Sequence, residues 1–70
     1  MNGEHKATHG VGFIRLPAVL SIIPISRARW YAGIQTGEFP RPVKLSERVS
    51  AWKRSDIEAL CARLAGEVAQ

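Results

Sequence analysis

Cysteine is almost missing from this chain: Cys61 is the single one in 70 residues. An internal disulfide is therefore excluded, and with it the disulfide-stapled secreted scaffold common at this length. A reducing cytoplasm is the expected compartment. Long apolar runs are missing too. The longest, Leu16 to Ile25, is broken by Pro17, Ser21 and Pro24, whereas a transmembrane helix needs roughly 20 apolar residues in succession. The N-terminus has no long apolar stretch of the signal-peptide kind. No membrane partner is expected. Catalytic constellations are also lacking. No cysteine–histidine pair, carboxylate pair or glycine-rich phosphate loop stands at a useful spacing. His5 and His9 stand four apart, but Gly3, Gly10 and Gly12 argue against a helix there and no third ligand is near. Neither a metal nor any other cofactor is expected, and neither is an enzyme, because so short a chain has little room for both a core and a substrate pocket.

What the chain does have is basic charge. Ten Lys+Arg oppose six Asp+Glu, for a net charge of +4 and a sequence pI near 10.0. The charge is unevenly spread. Residues 1–14 are neutral, residues 15–54 carry eight basic against two acidic side chains, and residues 55–70 sum to −2. A basic segment of +6 points to an anionic partner, and where its charges fall on the fold decides which. The hydrophobic fraction of 46% is that of a folded domain, and the length suits one domain.

Residues 1–12 lack periodicity and read as a flexible tail; the folded domain is expected over residues 13–66, with 67–70 frayed. Pro17 suits the first turn of a helix running to about Ile22, with Val19, Leu20 and Ile23 on its buried face. Pro24 stops it. Ser26 is placed to cap a second helix, in which Trp30, Tyr31 and Ile34 recur at helical spacing, and Gly37 suits its left-handed end. Gly33 inside that helix costs about 1 kcal/mol relative to alanine, and a close helix–helix contact would explain it. Two helices joined by Ile23 to Ile25 form a helix-turn-helix, whose second helix offers its first turn to the major groove. That turn carries Arg27, Ala28 and Arg29. Arginine matches a guanine edge or a phosphate through its planar fork. Two arginines there oppose the helix dipole, which an anion nearby would offset.

Beyond Gly37, Phe39-Pro40-Arg41-Pro42 is extended. Val43 and Leu45 alternate with Lys44 and Ser46, and Val49, Ala51 and Trp52 follow a turn at Ser46-Glu47-Arg48, so a hairpin is expected. A hairpin after a recognition helix is a wing, and Arg41, Lys44 and Arg48 on it would meet phosphates or the minor groove. Ser55 and Glu58 have capping-box spacing ahead of a last helix, with Ile57, Leu60, Cys61 and Leu64 on one stripe and an end at Gly66. Cys61 reads as a buried small hydrophobe rather than a reactive thiol. The acidic residues Asp56, Glu58 and Glu67 suggest that this helix faces away from nucleic acid. The fold class expected is mainly α with a small β-hairpin, a winged helix-turn-helix. Its core would hold Ile14, Leu16, Val19, Leu20, Ile25, Trp30, Ile34, Phe39, Leu45, Trp52, Ile57, Leu60 and Leu64.

These residues resemble the AlpA family of phage-type regulators over roughly residues 13–64. The resemblance rests on Arg15-Leu16-Pro17-x-Val19-Leu20, Ser26-Arg27, Trp30-Tyr31, the run Gly37-Glu38-Phe39-Pro40-Arg41-Pro42-Val43-Lys44-Leu45, and Trp52-Lys53-Arg54-x-Asp56-Ile57. It implies a small winged helix-turn-helix protein, similar in architecture to phage excisionases and MerR-type DNA-binding domains. The implied job is regulating excision or expression of an integrated element. Pro24 stands where many relatives have glycine, which stiffens the turn. Ala28 and Arg29 stand where many have Ser or Thr, so the family's base preference does not carry over.

The leading expectation is a sequence-specific transcriptional regulator of a prophage, cytoplasmic and nucleoid-associated, with double-stranded DNA as partner. Arg27, Ala28 and Arg29 would read or position bases and Tyr31 would reach a phosphate. Arg41, Lys44 and Arg48 would grip the backbone, flanked by Lys53 and Arg54. An excisionase-like architectural factor, bending DNA for a recombinase, shares the fold. A protein–protein adaptor is the alternative from another class, and it predicts an exposed apolar patch instead of the basic segment. A homodimer or cooperative array on DNA would raise specificity.

Overall fold

The computed structural model describes residues 11–68. Its elements in chain order are β1 (Phe13–Ile14), α1 (Leu16–Ile22), α2 (Arg27–Thr36), β2 (Val43–Ser46), β3 (Val49–Lys53) and α3 (Arg54–Val68). Three helices cover a small antiparallel sheet of order β1-β3-β2, so the chain is a winged helix-turn-helix in which β2 and β3 form the wing. His5 and His9 and most of the expected tail lie outside the described residues, as do residues 69 and 70.

Pro17 stands in the first turn of α1, as its missing N–H dictates. The turn to α2 is closed by a hydrogen bond from the Ile25 N–H to the Ile23 carbonyl (2.8 Å), a γ-turn with Pro24 at its centre. Ser26 caps α2, its hydroxyl accepting from the Arg29 N–H at 3.0 Å. Gly37 ends α2 at φ 85°, in the left-handed region. The chain then folds back, and the Phe39 N–H donates to the Gly33 carbonyl at 3.0 Å.

This return explains Gly33, and it corrects the expected helix–helix contact. A Cβ on Gly33 would collide with the ring of Phe39, whose Cγ lies 2.8 Å from the point it would occupy. The crowding partner is thus the loop after the helix, not another helix. Phe39 stacks on Trp30 with centroids 4.8 Å apart, and Trp52 meets Trp30 edge-on at 5.8 Å. Such pairs add about 0.5–1.5 kcal/mol beyond their buried area. The Trp52 Nε1–H donates to the Pro40 carbonyl at 3.0 Å, tying the start of the wing to its end.

The buried cluster holds Ile14, Leu16, Val19, Ile23, Trp30, Phe39, Trp52, Ile57 and Leu60. Leu20, Ile25, Ile34, Cys61 and Leu64 pack against it, partly buried. Leu45 is the exception to the expected core, at 47% exposure. The ladder explains it: Lys44 pairs with Ser50 but Ser46 with Val49, so Leu45 is an extra residue in β2. That bulge breaks the alternation which would have set Leu45 on the same face as Val43.

Two further features differ from expectation. Phe13 and Ile14 form an unforeseen third strand, paired with Lys53 and Trp52. An added hydrogen bond from the Arg54 N–H to the Gly12 carbonyl (2.8 Å) carries this pairing into the first residue of α3. Helix α3 therefore starts at Arg54, directly from the strand, and Ser55 lies inside its first turn rather than ahead of it. The helix also runs through Gly66 to Val68 instead of ending at the glycine.

Candidate nucleic-acid interface

In α2 the buried residues are Trp30 and Gly33, with Ile34 half-buried. Helical periodicity then sets Ala28, Tyr31, Ala32 and Gln35 on the opposite, solvent-facing side, with Arg27 and Arg29 on its two flanks. All six are exposed. Ala32 and Gln35 were not singled out from the sequence, although the spacing of Trp30, Gly33 and Ile34 contains the signal. A glutamine side chain can pair two hydrogen bonds with an adenine edge, and short alanines let a helix approach a groove closely.

Arg29 has a partner within the chain. Its Nη2 donates to both carboxylate oxygens of Glu38, at 3.0 and 2.9 Å. Its guanidinium lies 5.0 Å from the Phe39 ring centroid, a cation–π distance. The pair is partly exposed, at 48% and 41%, so it adds at most about 1 kcal/mol to stability. The first turn of α2 has no acidic residue, and Glu38, which follows the helix C-terminus, neutralises the Arg29 side chain. The Glu38 carbonyl in turn accepts from Arg63 Nη2 of α3 at 2.6 Å.

The other five basic residues expected at the interface form two sets. Arg41, Lys44 and Arg48 are exposed on the approach to β2, on β2 and in the tight turn at residues 47 and 48. They line the wing beside the outer strand. Lys53 pairs with Phe13 of β1, at the other edge of the sheet. Arg54 is half-buried and lines a shallow groove with Ile14, Ile22, Ile57, Glu58 and Cys61. The fold thus spreads Arg41, Lys44 and Arg48 along the wing from its base to its turn, and sets Lys53 and Arg54 at the junction of strand and covering helix.

Residues 12–63 match the family model described as Prophage CP4-57 regulatory protein (AlpA). The chain belongs to the AlpA family. The AlpA match spans β1 through most of α3, so it takes in both helices of the helix-turn-helix and the whole wing. A similar protein of Enterobacteria phage P4, named Uncharacterized protein ORF88, is 38% identical over 55 residues. That alignment covers 77% of this chain and 62% of the phage protein. No solved structure matches the chain. This AlpA-family chain is accordingly a member of a phage regulatory family. Among the described residues no helix is long and apolar enough to cross a membrane, and no group of three or more His, Cys, Asp or Glu could hold a metal ion.

Proposed function

We propose that this AlpA-family chain is a sequence-specific DNA-binding transcriptional regulator of a prophage or other integrated element. Helix α2 enters the major groove, and the wing meets the backbone or the adjacent minor groove. The observation that carries the reading is that α2, with an exposed face flanked by arginines, and an exposed basic hairpin are joined through one aromatic core by Trp30 and Trp52. On α2, Ala28 and Arg29 meet base edges together with Gln35, Arg27 flanks them toward the backbone, and Tyr31 reaches a phosphate. Arg41, Lys44 and Arg48 neutralise phosphates, fixing the register of the helix without reading sequence.

Binding-site selection with the purified protein, followed by affinity measurement over a salt series, tests this. With the three wing residues and Arg27 on phosphates, log affinity falls against log salt with a slope of about −3 to −4. Arg48→Ala is expected to weaken specific and random duplexes alike and to reduce that slope by about one. Affinity independent of salt, or no enriched site, defeats the proposal. A tandem array beside an attachment site in a DNase footprint would replace the regulator with an architectural factor.

A further inference from the structure

We propose that Glu38 is a specificity-determining positioning residue: its carboxylate holds Arg29 so that the guanidinium reads a guanine edge and rejects a phosphate. This rests on the DNA-binding reading above. The Arg29 side chain is held from two directions, by the Glu38 carboxylate and by the Phe39 ring. Both supports are themselves fixed. Phe39 is buried, stacked on Trp30 and hydrogen-bonded through its N–H to Gly33, and the backbone of Glu38 accepts from Arg63. An arginine held in this way has less rotamer freedom to lose when it meets a partner.

The geometry leaves part of the fork for that partner. Both oxygens of Glu38 meet the single atom Nη2, whose two hydrogens serve the two donor edges of the guanidinium, so one edge, the second Nη2 hydrogen with Nε or Nη1, is left to a partner. A phosphate approaching those donors would bring a second anion near the carboxylate, a repulsion severalfold in affinity, or about 1 kcal/mol, at this partly exposed site. The guanine edge presents two acceptors, N7 and O6, and no net charge. The carboxylate therefore penalises the backbone and leaves the base unpenalised. Arg27, in the same helical turn, has no carboxylate partner among the described residues, and is the arginine suited to phosphate.

Fluorescence anisotropy on the selected duplex and on a random duplex, over a salt series, tests the inference with wild-type protein, E38Q, R29A, R29K and E58Q. The E38Q variant is expected to bind random duplex severalfold more tightly, with a salt slope steeper by about one. Its ratio of specific to random affinity is expected to fall about tenfold, with one G·C position relaxed on reselection. E58Q removes the same charge from α3 and keeps the ratio. R29K keeps the charge but lacks the fork, so it loses the guanine preference while still binding random duplex. Adding E38Q to R29A changes the ratio no further. Thermal melts of each variant separate loss of fold from loss of recognition. An E38Q protein with wild-type ratio and wild-type selected site overturns the role of Glu38, as does an R29K protein that keeps the preference. Wild-type protein that fails to distinguish the two duplexes overturns the functional reading itself.

Discussion

Helix α2 begins on the side-chain cap of Ser26 and carries Arg27 and Arg29 in its first turn, whereas α3 runs straight out of β3 and carries Asp56 there. An acidic residue at a helix N-terminus complements the dipole and stabilises by about 0.3–1 kcal/mol, and basic residues forgo that gain. Helix α3 meets that rule in part, with Asp56 in the turn that Arg54 opens. Helix α2 departs from it, with the Arg29 side chain neutralised by Glu38 from beyond the helix. The two glycines differ in the same way. Gly33 in α2 is required by the Phe39 ring, while Gly66 in α3 has open space around it. A glycine that packing requires in one helix, against one that nothing crowds in the other, marks α2 as the helix fixed by tight packing.

The largest expected effect lies under both helices. Trp30→Ala should cost about 3–5 kcal/mol, enough to unfold a domain this small, as loss of the cooperative thermal transition by circular dichroism would show. Trp30→Phe should cost much less, since the indole Nε1 has no hydrogen-bond partner in the core. Next, the glycine contrast can be broken directly. Gly33→Ala should destabilise by about 1–3 kcal/mol, because overpacking against Phe39 outweighs the gain in helix propensity. Gly66→Ala should stabilise by up to about 1 kcal/mol. Urea denaturation with equal m-values would measure both, and a stabilised Gly33→Ala protein would remove the packing account. The smallest contrast is between the two serines. Ser26→Ala should cost about 1 kcal/mol through the lost cap, and Ser55→Ala should stay within about 0.5 kcal/mol. Equal losses at both would mean that α3 is capped after all.

Much of the helix-turn-helix was legible because its signals are local. Pro17, Pro24, Ser26 and Gly37 each act through their own backbone geometry, and each stands where its chemistry requires. The wing was legible from alternation and from its turn. What escaped were features with no local signal. A two-residue strand at Phe13 and Ile14 is too short for periodicity, and forms only because β3 presents a free edge. The bulge at Leu45 depends on how β2 pairs with β3, so alternation alone assigned Leu45 wrongly to the core. In the candidate site, Arg27, Ala28, Tyr31, Arg41, Lys44 and Arg48 are exposed. The partnership of Arg29 with Glu38 was hidden by nine residues of sequence separation.

The sequence by itself determined the order of helices and hairpin, the capping of α2 and the concentration of basic charge between residues 15 and 54. Each of these follows from backbone preferences or side-chain charge, which act over a few residues or not through structure at all. Only the tertiary structure decided which arginine is held and which stays open to solvent, why Gly33 must be glycine, and that Leu45 lies outside the core. The last follows from the bulge in β2. The others depend on the chain folding back at Gly37, which brings Glu38 and Phe39 against the start and middle of the helix they follow.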